Sequence, residues 1–242
     1  MPVTTSQDEL MRSLLRVARG LSALFWGLPI ALVLSIQTLL TGWTNSIGSI
    51  GVLAPPAVHG VLLYGVWLLG YFQRQERIWQ VALERVRLFA LINVALAPFL
   101  HWQQSVPQNE YFSQVIWLLA LSGLLFLITL NHVLRRLASM LPDETVRQET
   151  RTFASMNINL LCAALTCFAV VMGLEIVRDP PEVLIRLLLM IEFMRPWLFL
   201  MLVLIPLAMT MSLLWKTKES IFASVFTSKC EGKTASGKPE SC

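Results

Sequence analysis

The residue types able to do chemistry in this chain are few, and most fall where an apolar stretch ends. The histidines are His59, His101 and His132. His59 and His101 sit at equivalent ends of their apolar stretches, so two inward-turned imidazoles there would suit axial ligation of a haem or a metal. A single imidazole at a water–lipid boundary serves equally well as an interfacial polar group, so no cofactor and no metal are expected. His132 belongs to the opposite end and cannot join the pair. Asn93, Asn157 and Asn159 are the most polar groups within or near apolar stretches. They suit either a patch that contacts a solute or hydrogen bonds between helices, and their small neighbours favour the second. Glu175, Arg178, Asp179, Glu182, Glu192 and Arg195 gather around Pro180 and Pro181. Such a cluster suits an active site for a headgroup or wall precursor, but a solvated set of ion pairs is the simpler reading.

No catalytic residue is predicted. The sequence contains no P-loop, GxSxG elbow, HExxH helix, CxxC pair or CxxCH haem motif. Cys162 and Cys167 lie within an apolar stretch and Cys230 and Cys242 in the tail, a spacing that fits neither a zinc knuckle nor a disulfide framework. Ionisable residues in mid-bilayer mark ion paths and proton relays. The charges here stop at the ends of the apolar stretches, which argues against a proton-coupled pump or a voltage sensor.

The elements that would carry these residues are membrane helices. Of 242 residues, 55% are hydrophobic and 14% charged, and the mean hydropathy is +0.64, values of a polytopic membrane protein. The net charge of +4 is spread over membrane-flanking segments and a short tail, so the partner it implies is the lipid bilayer and no nucleic acid. The predicted fold is an all-α polytopic integral membrane helix bundle of about six transmembrane helices, with cytoplasmic helical extensions and both termini cytoplasmic. Residues 1–20 form an amphipathic arm, in which Ser6 and Glu9 make a capping box and Arg12, Arg16 and Arg19 share one face, as for a helix lying against anionic headgroups. Residues 21–215 form the membrane domain, with spans at about 21–40, 57–72, 88–102, 114–133, 154–177 and 197–215. Residues 216–242 are a Lys-rich cytoplasmic tail, disordered after about Thr227. Whether 181–193 lies in the interface or begins the last span is left open. Arg residues at the amino-terminal arm and in the second and fourth connections, with none in the first and third, set this orientation.

Small-residue seams are predicted on three spans. In the first span Ala23, Gly27 and Ala31 recur every fourth residue, and in the third Asn93 and Ala97 share a face. The fifth span, within Pro142–Val177, carries Ser155, Asn159, Cys162, Thr166, Ala169 and Gly173 on one face, where another helix can pack closely. This span is expected to be the central helix of the bundle. The odd-numbered spans also recur at a spacing near seventy residues, as three copies of a helical hairpin would, although any six-span protein with alternating loop charge has that rhythm.

The function expected from these features is that of a non-catalytic accessory or scaffold subunit, packing with other membrane chains or with itself. The alternative is a carrier or channel for a neutral or lipidic solute, along Asn93, Asn159 and Thr166 beside the proline positions Pro29, Pro98 and Pro206. An enzyme or redox subunit ranks third. The compact chain and short spans suggest a bacterial inner (cytoplasmic) membrane.

Overall fold

Helix α1, Val3–Thr41, runs unbroken through both the arginine-bearing arm and the first apolar stretch. No residue between them stops a helix, since Gly20 is tolerated in a helix interior. The arm is therefore part of a span-bearing helix and not a separate interfacial one: Arg12, Arg16 and Arg19 are exposed while Val17 and Leu21 on the other face are fully buried. The computed structural model describes the backbone of residues 3–41, 51–71, 76–106, 108–140, 144–176 and 200–235, and the side chains of 12–41, 51–71, 76–106, 108–140, 147–173 and 201–222 within them. The side chains of the Glu175–Arg195 charge cluster, the segment 181–193 and the loop with Trp43 lie outside the described residues.

Helix α2, Ala54–Leu69, starts on Pro55 and Pro56, which give up donors a first turn does not use. Helix α3, Arg77–Leu96, is separated from the short α4, Phe99–Ser105, at Ala97 and Pro98. Pro98 has no N–H for the Val94 carbonyl, and the chain recovers through Leu100 N–H to Ala97 O at 3.2 Å and His101 N–H to Pro98 O at 3.1 Å. Helix α5, Glu110–Ser139, is capped by Asn109, whose side chain accepts from Tyr111 N–H at 3.0 Å. Helix α6 is Glu144–Ile176. A π turn, Leu200–Leu204, leads into α7, Ile205–Ala235. The widened turn stands just before Pro206, where the missing N–H interrupts the ladder. Helix α7 continues beyond the predicted onset of tail disorder, with Thr217 and Ile221 buried against the bundle. Gly232 is the first glycine after Pro206, so nothing earlier breaks it.

The described residues are almost all helical, with no strand among them. Among the described residues four stretches are long and apolar enough to cross a membrane: Arg12–Thr41, Glu110–Ser139, Arg147–Gly173 and Met201–Phe222. Helix α2 is apolar but, at 16 residues, about 24 Å long, against about 30 Å of bilayer hydrocarbon. Helix α3 carries Arg77, Glu84 and Arg85 in its first half and Arg87 just beyond it.

Helix α1 packs on α2, α2 on α3, α3 on α5, α5 on α6, α6 on α7, and α7 returns to α1. The result is a ring, with α4 touching α1 and α5, and α5 also reaching α7 across it. The fifth predicted span is not the centre of this arrangement. The apolar window of α6 is 17% buried, against 33% for α5 and for α7. Its inward face is Thr150, Ala154, Asn157, Leu161 and Ala164, repeating at intervals of four and three residues.

Candidate functional site

Two features of the ring interior and one of its outer surface carry chemistry. The first joins three helices. Asn131 on α5, Asn157 on α6 and Thr210 on α7 are all fully buried. Asn157 Nδ2 donates to Asn131 Oδ1 at 3.0 Å and to Thr210 Oγ1 at 2.9 Å. Asn131 Nδ2 donates to Thr210 Oγ1 at 3.0 Å and to its own helix at Leu127 O, 2.8 Å. Thr210 Oγ1 in turn donates to Pro206 O at 2.8 Å. The Thr210 hydroxyl thus uses its one proton and both lone pairs, and both amide groups use both protons. Asn157 Oδ1 alone is left without a partner. A network so nearly closed has little capacity to bind a solute, and its chemistry is that of a fastener.

The second feature is a cavity of about 410 Å³ in the half of the ring away from the arginines. Leu28–Leu39 of α1, Ile116–Leu127 of α5, Phe168 of α6 and Leu207 of α7 supply most of an apolar wall. Its polar side chains, besides the Trp117 indole, are Ser35, His59 and Asn93. Ser35 Oγ donates to Ala31 O at 2.7 Å. His59 Nδ1 lies 2.9 Å from Pro55 O; a carbonyl only accepts, so this nitrogen carries the proton and a neutral ring keeps Nε2 as an acceptor. Asn93 is 4% exposed and its Oδ1 has no hydrogen-bond partner. His101, buried on α4, is not part of the wall. Among the described residues no group of three or more His, Cys, Asp or Glu side chains is placed to hold a metal.

The third feature is the small-residue stripe of α6. Ser155, Asn159, Cys162, Thr166, Ala169 and Gly173 are all exposed, on the face turned away from α5 and α7. Thr166 Oγ1 satisfies itself on Cys162 O at 2.9 Å, and a Cβ built on Gly173 meets no atom within 4 Å. Asn159 and Thr166 therefore do not join Asn93 along one internal path. The α1 seam is placed differently. Ala31 is buried, Ala23 half-buried, and a Cβ on Gly27 would lie 2.8 Å from Leu62 Cδ2 of α2. A backbone-to-backbone approach involves two glycines outside the predicted ladder: a Cβ on Gly20 would lie 2.8 Å from Gly65 O, and a Cβ on Gly65 2.9 Å from Leu24 Cγ and 3.0 Å from Gly20 O. Ala97 is fully buried at the α3–α4 junction.

Sequence reasoning missed Asn131 and Thr210. Asn131 shares its helix face with the buried Leu127, Leu130 and Leu134, a spacing that identifies an inward-facing polar residue. Thr210 lies four residues after Pro206 and gives no comparable signal. Comparison with protein-family models, with curated proteins and with solved structures finds no match to this chain.

Proposed function

We propose that this protein is a non-catalytic subunit of a membrane assembly, joined to a further transmembrane helix, of a second copy or of another chain, through the outward stripe of α6. The observation that carries this reading is the exposure of Asn159 within a row of small residues on a helix apolar enough to cross a bilayer. An amide facing hydrocarbon is costly without a partner. Small neighbours on the same face allow a second backbone to come close enough to supply one. The other exposed faces differ in kind: on α1 the outward residues are Trp26, Ile30 and Val33, which suit lipid.

In the same reading the chain crosses the bilayer six times, α2 and the α3–α4 pair supplying the two shorter crossings, with both termini cytoplasmic. The alternation of arginine-bearing and arginine-free connections supports this. The bacterial inner membrane is the compartment that best suits so compact a chain.

A photo-crosslinking amino acid placed at Thr166 in intact membranes tests the proposal, with the same group at Val33 as the lipid-facing control. The expected result is a discrete protein adduct from position 166 and lipid adducts alone from position 33. Lipid adducts alone from both positions would overturn it.

A further inference from the structure

The apolar cavity and Asn93 together describe a ligand. No charged side chain contributes to the wall, so an ion entering it would lose its hydration without compensation, and the occupant is neutral. The volume of about 410 Å³ falls within the range of about 300–1,000 Å³ usual for small-molecule sites. Within the wall, Ser35 and the protonated nitrogen of His59 are satisfied by their own helices. Asn93 is nine-tenths buried, lines the cavity, and has no hydrogen bond to any part of the protein at its oxygen. An amide offers one acceptor and two donors, and a hydroxyl is the smallest neutral group that can meet it in both senses.

We propose that this cavity is a binding site for a neutral, largely apolar alcohol, seated with its hydroxyl on the Asn93 amide and its hydrocarbon against the Leu, Ile and Phe side chains of α1 and α5. The site lies inside the ring, so it does not depend on whether α6 has a partner. Water is a poor occupant, since a largely apolar cavity stays dry unless a water finds two to four polar partners. A bare hydrocarbon would fill the space but leave the amide unpaired.

The site can be tested with purified protein in lipid nanodiscs, photolabelled with octanol carrying a diazirine and mapped by peptide mass spectrometry. Diazirine-bearing octane serves as the probe without a hydroxyl. The expected result is saturable labelling of residues 28–39 and 116–127 by the alcohol, displaced by excess plain octanol and not matched by the hydrocarbon. Asn93→Leu is expected to weaken labelling about tenfold, the loss of one hydrogen bond's worth of affinity. Gly123→Leu gives an independent variant: Gly123 lines the cavity and a Cβ there meets nothing within 4 Å, so the new side chain starts in open space at the wall and takes up cavity volume. This variant is expected to abolish labelling while keeping the wild-type elution volume and melting temperature. Non-saturable labelling, equal labelling by octane, or labelling that survives Gly123→Leu would each overturn the proposal.

Discussion

At the scale of the residue, the difference between Asn157 and Asn159 decides how α6 is used. Asn157 holds Asn131 and Thr210 together, and its removal strands acceptors on two other helices. Interhelical hydrogen bonds in membranes are worth about 0.6 kcal/mol on average and up to about 1.7, so Asn157→Leu is expected to destabilise the fold by about 1–2 kcal/mol, measured by denaturant unfolding in mixed micelles. Asn159→Leu, on the exposed face, is expected to leave that unfolding unchanged. Lys216 Nζ and Glu149 Oε2 are 2.8 Å apart but 40% and 58% exposed, and exposed pairs contribute roughly 0–1 kcal/mol. Glu149→Gln should therefore move the same transition much less than Asn157→Leu. The bonding role of Asn157 was legible in the sequence, because an amide in an apolar helix needs a partner; the same reading did not hold for the Asn93 oxygen. Which residues answer Asn157 was not legible. Spacing along one helix says nothing about which face of a distant helix turns toward it, and a threonine hydroxyl that bonds its own helix reads as neutral.

At the scale of the element, helix identity was far easier to read than helix orientation. The apolar stretches, the proline start of α2, the break at Pro98 and the cap at Asn109 all follow from local chemistry. The small-residue pattern is ambiguous because it identifies a face suited to close packing without saying whether the neighbour belongs to the same chain. On α1 the neighbour is α2. Gly65→Leu is expected to force α1 and α2 apart, since its first carbon already meets Leu24 and the Gly20 carbonyl, at a cost of about 1–3 kcal/mol or more. Gly60→Leu, five residues earlier on a face where a Cβ meets nothing within 4 Å, is expected to be tolerated. Melting temperatures of the two variants in the same detergent make the comparison. On α6 the same kind of pattern faces outward, because the 4–3 spacing of Ala154, Asn157, Leu161 and Ala164 gives the opposite face both apolar area and a hydrogen-bonded anchor.

At the scale of the whole molecule, the ring has one cationic end. Arg136 pairs with Glu76 at 2.9 Å, Arg16 lies over Tyr71 at 4.9 Å, Arg87 over Trp67 at 5.2 Å and Lys216 over Phe153 at 5.2 Å. These contacts tie α5 to the approach to α3, α1 and α3 to α2, and α7 to α6 at the same end, consistent with a headgroup-facing rim. In the proposed topology, with both termini on that side, a cysteine introduced at Gln108 in a cysteine-free background should react with an impermeant maleimide added outside intact cells. The native Cys230 should react only after the membrane is opened. The reverse pattern would invert the proposed topology. The ring itself was beyond reach of sequence reasoning, since positive-inside charge counts crossings without ordering them around an axis.

The central claim is that α6 faces another helix, and the native mass of the gently extracted protein tests it most directly, compared between wild type and Gly173→Leu. Gly173 is exposed and a Cβ there meets no atom of the described residues within 4 Å, so this substitution is aimed at assembly and not at folding. The account predicts a wild-type mass well above the 27.3 kDa of one chain, falling toward that value in the variant while the melting temperature of the chain holds. A wild-type monomer, or a variant whose assembly mass is unchanged, would contradict it.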